Sequence, residues 1–161
     1  MKNALLASGT AHIKNVLLAV SILALTACAS NPRPERPRRQ AISPPNAQRL
    51  ATYSTAVRSG GFVFLSGVIG TRAGDRQLTT TGEQTQQVLE TIRGHLANLD
   101  LTPQDLVKCT VFLVDMRDYN EMNQVYARFF EGGDPPARSA IGVAALPAGA
   151  RVEIECVAVD R

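Results

Sequence analysis

Hydrophobic and polar positions along this 161-residue chain follow two different periods, and the switches between them mark the elements. Phe62 to Ile69 is a short apolar, β-branched run after the Ser59-Gly60-Gly61 turn, which predicts a strand. Ala51 to Val57, rich in Thr, Tyr and Val, predicts a partner strand that completes a hairpin. Residues 70 to 81 are polar and read as a loop. Val88, Leu89, Ile92, Leu96 and Leu99 then recur at helical spacing, so 82–98 is predicted as an amphipathic helix. Thr80 with Glu83, or Thr81 with Gln84, supplies its capping box. Leu106 to Val114 reads as a central strand. Asp115 is placed to cap a second helix whose apolar face is Tyr119, Met122, Val125, Tyr126, Phe129 and Phe130. Gly132-Gly133-Asp134-Pro135-Pro136 ends it, and strands are predicted over 138–145 and 150–159 around a turn at Pro147 and Gly149. In the last strand Val152, Ile154, Cys156 and Ala158 share one face, while Glu153, Glu155, Val157 and Val159 share the other. The order is ββαβαββ, an α+β sheet with both helices on one face. The other face carries apolar residues such as Val157 and Val159, which predicts oligomerisation through it.

The pattern before residue 48 is different. Lys2 and Lys14 precede Val16 to Ala27, twelve residues without a charge. That is too short to span a membrane and suits the apolar part of a secretory signal. Leu25-Thr26-Ala27-Cys28 resembles the bacterial lipobox, in which the cysteine is acylated. The expected organisation is therefore a lipoprotein signal over 1–27, an acylated Cys28 with a Pro/Arg-rich tether over 28–47, and a domain over 48–161. In Gram-negative bacteria a lipobox implies anchoring to the outer membrane facing the periplasm, on the membrane rather than through it. Charge follows the same division. Arg33, Arg36, Arg38 and Arg39 against Glu35 give the tether +3, whereas residues 40–161 hold 11 basic and 13 acidic side chains, about −2. The basic overall balance thus belongs to the leader, and a folded domain without a basic excess argues against nucleic acid as a partner.

Side-chain chemistry in the domain is sparse. His95 is its one histidine, beside the apolar stripe of the first helix, so neither a Ser-His-Asp triad nor a histidine metal cluster can be assembled. No cofactor motif is present. Cys109 and Cys156 lie among apolar neighbours in strands. They read as two small buried hydrophobes, or as a bridge if those strands are adjacent. The remaining candidate is Pro135-Pro136-Ala137-Arg138-Ser139 followed by the strand of Glu153 and Glu155. Arginine keeps its charge and offers a planar fork that fits a carboxylate. A carboxylate on a neighbouring strand would then handle protons on the bound acid.

Phe64-Leu65-Ser66-Gly67, Val107 to Leu113, Asn123-Gln124-Val125-Tyr126, Pro136-Ala137-Arg138-Ser139 and Val152-Glu153-Ile154-Glu155 together resemble the RidA (YjgF) family of enamine/imine deaminases, in order from about residue 50 to 160. The resemblance implies a chorismate-mutase-like fold and a homotrimer with sites in the clefts between subunits. It also implies hydrolysis of 2-imino acids to 2-keto acids and ammonia, without a cofactor or metal. By it, Arg138 grips the substrate carboxylate, Glu153 positions the attacking water, and Tyr53, Ser66 and Asn123 line the site. Ala140, Gly142 and Val68 stand where many members carry cysteine, glutamate and glutamine. The alternative on the same fold is a non-catalytic small-acid-binding or chaperone-like module of the cell envelope.

Overall fold

A computed structural model describes residues 38–43, 52–73 and 76–161. The predicted signal, Cys28 and the tether up to residue 37 lie outside the described residues, as does Ala51. The elements are β1 (Gln40–Ile42), β2 (Ala56–Ser59), β3 (Phe62–Ile69), β4 (Arg72–Ala73), β5 (Arg76–Gln77), α1 (Thr81–Ala97), β6 (Leu106–Leu113), α2 (Tyr119–Phe129), β7 (Ala137–Gly142) and β8 (Val152–Val159). Six strands form one sheet in the order β1-β2-β3-β8-β6-β7. All its pairs are antiparallel except β6 with β7, which α2 connects as a crossover.

β3, α1, β6 and β8 form where their periods predict. β8 alternates as expected, with Val152, Ile154, Cys156 and Ala158 buried. These meet Cys109, Val111 and Leu113 of β6 and Val63 and Leu65 of β3 in one core. Val88, Leu89, Ile92 and Leu96 of α1 and Met122, Val125 and Tyr126 of α2 cover that face. Thr80 and Glu83 make the full capping box of α1. Asp115 caps a single 3-10 turn, Met116–Asp118, that feeds α2, rather than α2 itself. The opposite face leaves Phe62, Phe64 and Val159 exposed, so the apolar surface predicted there exists and is larger than Val157 and Val159 alone.

Four further expectations change. β1 lies inside the stretch read as tether and pairs with β2, Gln40 opposite Arg58 and Ile42 opposite Ala56. Ile42 packs against the core from this edge, an anchor too short to show a period in sequence. The first hairpin strand is Ala56–Ser59 rather than 51–57, because the tight Gly60-Gly61 turn, with φ of 62° and 81°, sets Ser59 opposite Phe62. The polar loop over 70–81 contains the small β4–β5 ladder. β7 stops at Gly142, and the chain turns away through Pro147–Gly149.

The two domain cysteines are bridged. Cys109 and Cys156 sit directly opposite each other on β6 and β8, both buried, and form a disulfide closing a 47-residue separation.

Candidate functional site

The expected site residues fall into two groups. The first surrounds Glu153. Between Leu65 and Val68 the β3–β8 register shifts by a bulge, so Ser66 and Gly67 leave the regular ladder. A bulge bends the strand and re-aims its side chains. Ser66 is held on both sides, its N–H donating to Thr55 O at 3.0 Å and its hydroxyl to Ser54 O at 2.6 Å. Gly67 has no side chain to fill the space above β8. The carboxylate of Glu153 occupies it, with Oε1 only 1.9 Å from where a Cβ on residue 67 would sit. Tyr53, Ser66, Gly67, Ile69, Pro147 and Glu153 line one cleft of about 420 Å³. Burial, with a smaller contribution from the charge of Glu155, raises the pKa of Glu153 above the usual carboxylate value. Glu155, two residues on, is exposed. Glu153 is thus the carboxylate placed in the cleft.

The second group surrounds Arg138. Its Nη2 donates to Asn123 Oδ1 at 2.7 Å and to the Tyr119 hydroxyl at 3.1 Å, and Nη1 points at the Met122 sulfur at 4.0 Å. The guanidinium carbon lies 4.5 Å from the centre of the Tyr126 ring. All these partners, among the described residues, are neutral. By contrast Arg58, Arg93, Arg117, Arg151 and Arg161 each meet a carboxylate. Arg138 is held in place without being neutralised, and it lines a cleft of about 560 Å³ with Asn123 and Tyr126. That is how an anion site is prepared: the geometry is fixed and the charge is left open. Ala140, on the same face, packs against the core.

The two groups do not meet within one chain, which corrects the expectation that Glu153 stands on a strand next to Arg138. β6 lies between β7 and β8. Arg138 is level with Cys109, and Glu153 with Phe112. Two strand spacings across and three residues along put their Cα atoms roughly 14 Å apart. They also face opposite ways: Arg138 shares the helix-covered face with Cys109, and Glu153 shares the open face with Phe112. The physical reason is that β7 joins the sheet edge in parallel to β6, whereas β8 inserts between β6 and β3.

Sequence reasoning missed the residues that hold the Glu153 group. Gln84 is buried, donating Nε2–H to Leu78 O at 3.0 Å while its Oε1 accepts from the Arg151 N–H at 2.8 Å. Its backbone oxygen lies against Gly70, where a Cβ would come within 2.5 Å. One residue of α1 therefore sets the end of β3 and the start of β8. Arg151 reaches further, donating Nε–H to Thr81 Oγ1 at 3.0 Å and Nη2–H to Asp118 Oδ2 at 2.6 Å. Hydrogen bonds from Thr81 and then Arg151 hold the Asp118 pKa below its usual value. The signal for Gln84 was its place four residues before Val88 on the buried stripe.

Comparison with known proteins agrees with this architecture. A RutC family protein of Pyrococcus horikoshii is 39% identical over 111 residues, covering 68% of this chain and 87% of that protein. The mouse 2-iminobutanoate/2-iminopropanoate deaminase is 38% identical over 113 residues, 69% of this chain and 83% of the relative. The chloroplastic Reactive Intermediate Deaminase A of Arabidopsis thaliana is 39% identical over 111 residues, 68% of this chain and 59% of that longer protein. Among solved structures, the YjgF gene product of E. coli superposes with a TM-score of 0.68 at 31% identity, covering 76% of this chain and 99% of that one. E. coli TdcF with bound serine gives 0.65 at 31% identity over 70% and 91%. The sequence profile of the family Endoribonuclease L-PSP matches residues 44–160. With that match over most of its length, the sheet and two helices in common with YjgF, and relatives named as imine deaminases, the chain belongs to the Endoribonuclease L-PSP family, that of the RidA/YjgF proteins.

Proposed function

We propose that this protein hydrolyses 2-imino acids, with their enamine tautomers, to 2-keto acids and ammonia at sites completed by a second copy of the chain. The observation that carries the proposal is Arg138, a fixed guanidinium whose described partners are all neutral. In the reaction the substrate carboxylate lies on Arg138. Water adds to the imine carbon, the carbon–nitrogen bond breaks after proton transfer to nitrogen, and the keto acid and ammonia leave. Glu153 is the acceptor for the water proton. Its raised pKa brings its acid and base forms closer to neutral pH, as a proton-transfer group requires. Tyr53 and Ser66 shape the same cleft.

The separation of Arg138 from Glu153 requires that they come from different subunits. The exposed Phe62, Phe64 and Val159 on the open sheet face support such assembly, and the trimer of the family is the proposed form. The slightly acidic domain argues against RNA as the substrate, whatever the family's name suggests. The test is the rate at which the full chain consumes 2-iminopropanoate generated in situ. Acceleration over buffer that disappears in Arg138→Ala is expected. Binding of 2-keto acids without turnover would instead favour the non-catalytic small-acid module.

We also propose that the chain is exported and anchored through an acylated Cys28. The Cys109–Cys156 bridge supports this, because buried disulfides form and persist in oxidising compartments. Mass spectrometry of the membrane-extracted protein, with Cys28→Ser as the control, tests the anchor.

A further inference from the structure

The Arg138 cleft is larger and more apolar than the carboxylate of a small acid needs. It runs from Arg138 and Asn123 between the end of α2 and the loop leading to β7, and its walls are Tyr126, Ala127, Phe130, Pro135 and Pro136. Tyr126 and Phe130 pack against each other with ring centres 4.8 Å apart and planes tilted by 43°, so the buried base of this wall is aromatic. The loop keeps the space open. Gly132, at φ +87°, turns the chain out of the helix, and neither it nor Gly133 adds a side chain. The side-chain amide of Gln104 lies within 2.4 Å of where a Cβ of Gly133 would be, so the loop passes tightly over the 3-10 turn Pro103–Asp105. Pro135 and Pro136 then restrict the backbone. The cleft of about 560 Å³ falls in the range of sites for molecules well beyond three carbons. A pyruvate-sized acid bound at Arg138 would leave most of it empty.

We propose that this cleft is a side-chain subsite, and that the acids it selects are 2-imino or 2-keto monocarboxylates with an aromatic or large branched apolar side chain. This rests on reading Arg138 as the carboxylate clamp. The charge pattern narrows the class further. One cation stands at the inner end, apolar walls follow, and the carboxylate of Glu131 sits at the exposed rim. A ligand with a second carboxylate on its side chain would meet Glu131 and be disfavoured. A neutral ring would gain the aromatic wall and lose only water.

The experiment is calorimetric titration of the full chain with phenylpyruvate, pyruvate and 2-oxoglutarate, none of which is turned over. Phenylpyruvate is expected to bind more tightly than pyruvate by about tenfold or more, the discrimination usual for an apolar side chain in a matching cavity. 2-Oxoglutarate is expected to bind more weakly than phenylpyruvate. Ala127→Leu fills the cleft from an exposed position on α2 and should bring the phenylpyruvate-to-pyruvate ratio towards one, with helix content by circular dichroism confirming the fold. Equal affinities in the unaltered chain, or a preference that survives Ala127→Leu, would overturn the subsite. Preference for phenylpyruvate in a protein without deaminase activity would refute the proposed reaction and uphold the subsite. If none of the three acids binds, the Arg138 clamp is wrong and the subsite falls with it.

Discussion

Adding one methyl group at Gly67 tests the Glu153 site directly. The backbone there is not in the left-handed region, so Ala meets no conformational penalty, and the effect comes from what the new Cβ touches. It would lie 1.9 Å from Glu153 Oε1 and 2.9 Å from its Cδ, where ordinary contact begins near 3.4 Å. The carboxylate must therefore retreat by about 1.5 Å, the difference between those distances. It is the far end of a flexible side chain, and moving it outward also relieves the burial that raises its pKa. Folding stability should therefore change by less than about 1 kcal/mol. Catalysis is less tolerant. Misplacing a reacting group by ~1 Å costs on the order of 100-fold, or about 2.7 kcal/mol of transition-state stabilisation. Gly67→Ala is thus expected to lower kcat/KM for 2-iminopropanoate by roughly 100-fold with an almost unchanged denaturation midpoint. The Glu153 carboxyl resonance should titrate at lower pH than in the parent. Combined with Glu153→Gln, the substitution should add nothing, because both act on one group. A Gly67→Ala enzyme within about twofold of the parent, with the Glu153 titration unmoved, would refute the placement of Glu153 as the water-handling group. The internal comparison is Gly94→Ala in α1, where nothing lies within 4 Å, which should stabilise the fold by about 0.5–1 kcal/mol without touching activity.

Three further outcomes follow from buried groups. The Tyr126 hydroxyl is buried without a partner among the described residues, and burial pushes its ionisation up to about 12. Tyr126→Phe keeps the ring beneath Arg138 and should raise stability by about 1 kcal/mol in urea unfolding. Removing the Cys109–Cys156 bridge as a double Ala variant should lower stability by about 4 kcal/mol, from the chain entropy of a 47-residue loop, read as the shift in urea midpoint. Burial holds His95 below its ordinary pKa of 6.5, so the unfolded chain takes up a proton first as pH falls. Its contribution is intact above 6.5 and is lost from there down through the lowered folded pKa, so the melting temperature should begin to fall below about pH 6.5. His95→Leu should remove that part of the slope and leave the acid loss from Asp118, whose pKa is held below the usual carboxylate value by Thr81 and Arg151.

Local features were legible because local physics writes them in a repeating form. The α1 stripe, the Thr80–Glu83 box and the alternation of β8 are each carried by residues a few positions apart. The Pro-Ala-Arg-Ser run and the Glu153 strand could be singled out by residue chemistry alone. Their relation could not be, since Arg138 and Glu153 are 15 positions apart on consecutive strands, and that spacing suggests a hairpin. The fold breaks the hairpin by sending β8 between β6 and β3. The same insertion brings Cys156 opposite Cys109, turning two apparent small hydrophobes into a bridge. β1 gave no sign of itself because three residues show no period, and its place depends on an edge of β2 that exists only after the sheet has formed. Gln84 read only as an alternative capping-box partner of Thr81, and its role emerged once Leu78, Gly70 and Arg151 converged on it.

Periodicity, caps and side-chain type act over short distances, so the longer elements, the face each buries and the residues with chemistry to offer could be read along the chain. Strand order came only with the packed fold, and with it the placing of Arg138 and Glu153 on opposite faces of one sheet. Strand order is settled by how helices and strands far apart in the chain pack into a single core, and no local pattern records that choice.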